Sequence, residues 1–184
     1  RWSPDGHGLL LALMRQGTSD LYQYTFESGT LTPIVTWRSL ETSPVWSPDG
    51  TRIAFVSDAA RNHEPQIYLY DTRTKRSERV TYKGRYNSSP RWSPDGRMLA
   101  YEGRRKGVFQ IFKYDLLRRR HQQLTFGRYN SQQPDWAPNG RQLVFSSHKT
   151  GVTKLYYISA HGGPVARVTT SPPAVVETQP AWTR

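Results

Sequence analysis

Five histidines, His7, His63, His121, His148 and His161, are the residues of this 184-residue chain best suited to proton transfer or metal ligation. They are scattered, and no two stand at His-x3-His or His-Glu-x2-His spacing. His63-Glu64 is followed by Pro65, which forbids the helix that a zinc-binding His-Glu pair requires. The chain has no cysteine, so thiol nucleophiles, iron–sulfur clusters and thiolate-bound zinc are excluded. His161-Gly162-Gly163 has the form of an oxyanion loop, yet no Gly-x-Ser-x-Gly elbow supplies a nucleophile, and the tripeptide reads as a hairpin turn. Each Pro-Asp-Gly segment offers one carboxylate, too few for calcium. These residues predict no catalysis, no metal and no cofactor.

Recognition chemistry is better represented. Arg85-Tyr86-Asn87 and Arg128-Tyr129-Asn130 each combine a forked donor, a flat amphipathic ring and an amide, a set suited to holding a protein partner. The competing reading is that Asn87 and Asn130 bond backbone in a turn while the tyrosines cover sheet edges. Charge points to partners more weakly. The 26 Lys and Arg against 14 Asp and Glu leave a net charge of +12. The basic clusters Arg104-Arg105-Lys106 and Arg118-Arg119-Arg120 fall in turns at opposite ends of one strand set. That arrangement argues against a single nucleic-acid groove and for an acidic protein or envelope component.

The elements that position these residues follow from a repeat. Trp2, Trp46, Trp92, Trp136 and Trp182 stand 44, 46, 44 and 46 residues apart, and Trp-Ser-Pro-Asp-Gly follows in the first three copies. The fourth copy is Trp136-Ala137-Pro138-Asn139-Gly140. Each unit reads as four short strands; in the second these are 43–47, 52–57, 66–72 and 77–81. Leu9 to Leu13, Ile53 to Val56, Met98 to Tyr101 and Leu143 to Phe145 are apolar at successive positions, which predicts strands covered on both faces. The fold class is all-β, a β-propeller of four-stranded antiparallel blades. Units span about 1–43, 44–89, 90–133 and 134–177, with 178–184 as a closing strand. The tryptophans are expected to pack between blades. Either Arg1 and Trp2 fray and four blades close, or further blades precede the chain; the start within a motif, on Arg1 rather than Met, favours the second. The longest apolar run, Leu9 to Met14, is far short of the roughly 18 residues of a membrane helix.

At the tryptophan-Ser-Pro-Asp-Gly repeats, at Val144-Phe145-Ser146-Ser147 and at Pro180-Ala181-Trp182, the chain resembles the TolB family. The resemblance implies the last four blades of a six-bladed propeller and a non-enzymatic, monomeric protein of the periplasm in the Tol–Pal envelope system. It further implies binding of the peptidoglycan-associated lipoprotein Pal, through loops entering the innermost strands, in support of outer-membrane integrity and cell division. The matching positions are Arg85, Tyr86, Asn87 and Ser88, then Arg128, Tyr129, Asn130, Ser131 and Gln132. Thr42 and Thr178 occupy corresponding loops without the Arg-Tyr-Asn triplet. The alternative is the accessory gating propeller of a prolyl-oligopeptidase-like serine peptidase whose catalytic domain lies outside this chain.

Overall fold

One hydroxyl closes each Ser-Pro-Asp-Gly turn. In the computed structural model, which describes residues 1–61 and 63–182, Ser47 Oγ donates to Asp49 Oδ1 at 2.6 Å and accepts from the Arg52 N–H at 2.9 Å. The Gly50 N–H returns to the Ser47 carbonyl at 3.0 Å. Ser3 and Ser93 repeat these bonds. Ala137 has no hydroxyl, and there the turn is closed by backbone bonds and by Asn139 Oδ1, which accepts from the Arg141 N–H at 2.9 Å. Gly50 sits at φ 69°, a conformation that a side chain would strain. The Asp5 and Asp49 carboxyls lie below their ordinary range, chiefly because the serine hydroxyl bonds the charged form. At Asp95 burial pulls upward, but the Ser93 hydroxyl and Arg97 N–H outweigh it.

These turns join antiparallel strands in two compact units, Arg1–Pro90 and Arg91–Arg184. The first unit holds a three-stranded sheet, β1 (Gly8–Arg15), β2 (Thr18–Thr25) and β3 (Thr30–Val35). Arg1 and Trp2 do not fray: the Leu10 N–H donates to the Arg1 carbonyl at 2.7 Å, and Trp2 bridges Leu9. The next sheet runs β4 (Glu41–Trp46), β5 (Arg52–Ser57), β6 (Gln66–Asp71) and β7 (Arg76–Arg79) in chain order. The third sheet comprises β8 (Asn87–Trp92), through which the division between units passes, β9 (Met98–Arg105), β10 (Val108–Asp115) and β11 (Arg120–Gln123). The last comprises β12 (Ser131–Trp136), β13 (Gln142–Ser147), β14 (Lys154–Ser159) and β15 (Ala166–Arg167). The all-β class and the propeller blade therefore stand.

Within each unit, adjacent sheets share a core. Leu10, Leu21 and Val35 pack with Ile53, Phe55, Tyr68 and Tyr70 in the first. Ala100, Ile111 and Leu124 pack with Trp136, Leu143, Phe145, Tyr156 and Ile158 in the second. The Trp136 Nε1–H donates to the Arg91 carbonyl at 3.1 Å. Trp46 packs against the first core, but its buried Nε1–H meets no acceptor among the described residues.

Three expectations are corrected. Trp2 is 65% exposed and lies against Phe26 rather than between sheets. Leu9 to Leu13 is not covered on both faces: Leu10 is buried against the shared core, while on the opposite face of β1 Leu9 and Leu11 are half-buried and Leu13 is exposed. The closing strand expected at 178–184 is not formed over its described residues. Residues 178–182 form no strand, and 183–184 lie outside the described residues. The Gln179 and Trp182 N–H groups bond the Gln133 and Asp135 side chains, at 2.9 and 3.1 Å, in place of a backbone ladder.

Truncating Trp136 to Ala should destabilise the protein by about 3–5 kcal/mol in urea unfolding, the range for emptying a buried aromatic site. Trp136→Phe should lose about 1 kcal/mol more than Trp46→Phe, because only Trp136 has a hydrogen bond to forfeit.

Candidate functional site

Each blade-to-blade linker must satisfy its own backbone carbonyls, since it belongs to no ladder. The fold does this with one buried polar side chain at the start of each third strand. Gln66 Nε2 donates to the Gly84 carbonyl at 3.1 Å, and its Oε1 accepts from Thr81 Oγ1 and Asn87 Nδ2, both at 2.8 Å. Gln110 Nε2 donates to the Tyr129 carbonyl at 2.9 Å. Lys154 Nζ reaches Ser171 Oγ and the Pro172 and Val175 carbonyls at 2.6–2.7 Å. In the first sheet Ser19 Oγ donates to the Glu41 carbonyl at 2.8 Å. Gln66, Gln110 and Lys154 are each 1% exposed. Sequence reasoning passed over them, although their 44-residue spacing at strand starts was available as a signal.

The Val-Thr and Leu-Thr pairs after the fourth strands acquire a role here. Thr81 Oγ1 accepts from the Ile67 N–H, and Thr125 Oγ1 from the Ile111 N–H, at 2.8 Å each. A hydroxyl thus replaces a ladder carbonyl where the strand turns away.

The two Arg-Tyr-Asn triplets are not equivalent. Counted back from the following proline, Asn87 matches Ser131, not Asn130, because the second loop is one residue longer. Asn87 is buried and bonds Gln66 and the Lys83 carbonyl, so the backbone-bonding reading describes it. Ser131 is buried likewise, and Ser88 is 8% exposed. Asn130 is exposed; its Oδ1 accepts from the Phe109 N–H at 2.9 Å, which ties the linker to the β9–β10 hairpin. Gln110 Oε1, lacking an amide donor like that of Asn87, has no partner among the described residues. Gly127, at φ 136°, is required: a Cβ there would lie 2.7 Å from the Tyr129 ring.

In the first unit Arg85 and Tyr86 are exposed and Thr42 is half-buried. In the second Arg128 and Thr178 are exposed, while Tyr129 and Gln132 are half-buried. Beside Arg85, a groove of about 450 Å³ is lined by Arg61, Glu64, Arg79 and Tyr82. Glu64 lies 3.5 Å from Arg61 and 3.4 Å from Arg85, and the Arg79 guanidinium covers the Tyr82 ring at 4.8 Å. One carboxylate therefore serves two guanidiniums. Among the described residues no His, Asp and Glu gather into a metal-binding group. His161-Gly162-Gly163 is the β14–β15 turn, with the Gly162 N–H on the Ser159 carbonyl.

The family model for the TolB beta propeller domain (PD40) matches residues 1–184. The chain belongs to the TolB beta propeller domain family. It is 36% identical, over 88 residues, to the Tol-Pal system protein TolB of Helicobacter pylori; the match covers 47% of this chain and 21% of that relative. The structure of putative TolB from Agrobacterium tumefaciens superposes with a TM-score of 0.81 at 29% identity, over 93% of this chain and 61% of that one. TolB from Acinetobacter baumannii superposes at 0.79 over 96% of this chain and 44% of its own, and at 24% identity it shows likeness of fold alone.

Among the linkers of this TolB propeller, the one leading to Thr178 is held by charge. Glu177 takes the place of Asn87 and accepts from the Ser171 and Thr169 hydroxyls and, at 3.1 Å, from the Leu155 N–H. Lys154 Nζ stands 3.7 Å away. The two hydroxyls, with that N–H and the ammonium, bring the carboxyl from 4.5 down to about 2. A depressed carboxylate contributes stability that is complete above its unfolded value and is lost as pH falls through the folded one. Segment 169–177 should therefore hold its hydrogen-exchange protection down to pH 4.5 and lose it toward about pH 2. Glu177→Gln should remove that pH dependence.

Proposed function

We propose that this chain is the protein-binding propeller of a periplasmic, monomeric TolB-type protein of the Tol–Pal system. It binds Pal without catalysing a reaction and so supports outer-membrane integrity and cell division. Its blades are the last four of six. The observation that carries this reading is the state of the linkers. Arg85 and Tyr86 in one unit, and Arg128, Tyr129 and Asn130 in the other, project from loops whose backbones are locked by buried Gln66 and Gln110. Rigid loops presenting aromatic and arginine side chains lower the ordering cost of association. Buried Asn87, Ser88 and Ser131 position these loops, while Thr42, Gln132 and Thr178 flank the contact residues. The excess of guanidinium around Glu64 suits a partner with acidic side chains.

Replacing Tyr129 and Asn130 together by Ala should weaken the complex with Pal by about 1–4 kcal/mol in calorimetry, the range of interface anchors. Arg118→Ala, in the β10–β11 turn at the other end of its sheet, should leave the affinity unchanged. Undiminished affinity of a correctly folded double variant would falsify the placement.

A further inference from the structure

We infer that the second unit carries a binding site for a small organic carboxylate, built around buried Lys113 and separate from the linker loops. Lys113 lies in β10 opposite Ala100. The same register place in the second sheet is Leu69, opposite Ala54 and 4% exposed, so the blade is built for an apolar side chain there. Lys113 is nevertheless 8% exposed, and its Nζ donates to the Ala160 carbonyl at 2.6 Å. That bond uses one of three N–H groups. Burial lowers the amine's proton affinity, and the Asp115 carboxylate, two residues along β10, only partly opposes it.

A groove of about 410 Å³ adjoins this amine, with Met98, Trp136 and Pro138 among its walls and Asp95 and His161 also lining it. Its size and its apolar walls around a single buried charge are those of a small-ligand site. A carboxylate supplies one negative charge and two acceptor oxygens, matching one ammonium with two N–H groups left. Asp95 does not serve the amine's need: it is exposed, and its Oδ1 already accepts from Ser93 Oγ and the Arg97 N–H. The ligand's carboxylate therefore sits against Lys113, and its apolar body lies along Trp136 and Met98. This site is at the end of the sheet that bears the Ser-Pro-Asp-Gly turn, and it stands independently of Pal binding.

The test is titration of the intact protein, carrying lysine labelled at 13Cε, with hexanoate and separately with hexanol. Hexanoate should shift the Lys113 resonance saturably and raise the pH at which it titrates, because a bound anion favours the ammonium. Hexanol should bind at least about tenfold more weakly, the loss expected when the ion pair is missing. Lys113→Leu, which installs the side chain of the second sheet, should lose hexanoate binding while keeping its circular dichroism. A Lys113 resonance unmoved by hexanoate, equal binding of hexanol, or full binding by folded Lys113→Leu overturns the proposal. If Lys113→Leu does not fold, the two titrations of the unaltered protein decide it.

Discussion

Everything beyond the individual sheet depends on how a linker that belongs to no ladder satisfies its backbone. An antiparallel blade bonds its own strands internally, but the chain must then leave the fourth strand and enter the next sheet. An unpaired carbonyl buried on that path costs as much as a lost hydrogen bond. The fold answers with Gln66, Gln110 and Lys154, each buried near the start of a third strand and donating to the linker that follows, and with Ser19 in β2, which donates to the Glu41 carbonyl where β4 begins. The dependence is mutual. A buried amide or ammonium is itself costly until bonded, and the linker carbonyls are its acceptors.

The same place is filled by different chemistry, and its consequences diverge. Glu41 and Glu177 both stand three residues before a proline, at corresponding points of two linkers. Burial pushes the Glu41 carboxyl up, against the pull of the Ser39 and Ser57 hydroxyls, and its second oxygen has no partner among the described residues. Glu177 is driven down, because hydroxyls, an N–H and an ammonium all favour its charged form. One residue type at one repeat position thus shifts in two directions, according to whether burial or the donors around the carboxylate dominate. The residues before these prolines share a geometry that proline's own preference for extended backbone does not supply. Ser43, Ser89, Gln133 and Gln179, each just before one, all adopt φ between 51° and 56°. The ladders shift register at the first and third of these points, re-aiming the strand as it enters the sheet.

The turn chemistry was legible because it is local: Ser, Asp and Gly within four residues close on one another, so type and spacing carry the geometry. The second strand of the second repeat is likewise legible at 52–57, where it is found. Identical Arg-Tyr-Asn triplets conceal a one-residue difference in loop length between Asn87 and Asn130. That residue turns a buried positioning amide into an exposed one that caps the β9–β10 hairpin. The tail at 178–182 keeps the left-handed step at Gln179, yet its N–H groups meet side chains where a strand would meet a backbone.

The order of residues by itself determined the all-β class, the four repeated units and the Ser-Pro-Asp-Gly turns. These rest on periodicity, on contacts within a few positions, and on which side chains are present at all. Tertiary structure alone decided which linker residues face outward, which polar side chains hold the loops, and that Lys113 lies buried beside a groove. Those outcomes depend on desolvation and on partners 17 to 47 residues distant in the chain. Only the packed sheets bring such groups within hydrogen-bonding reach.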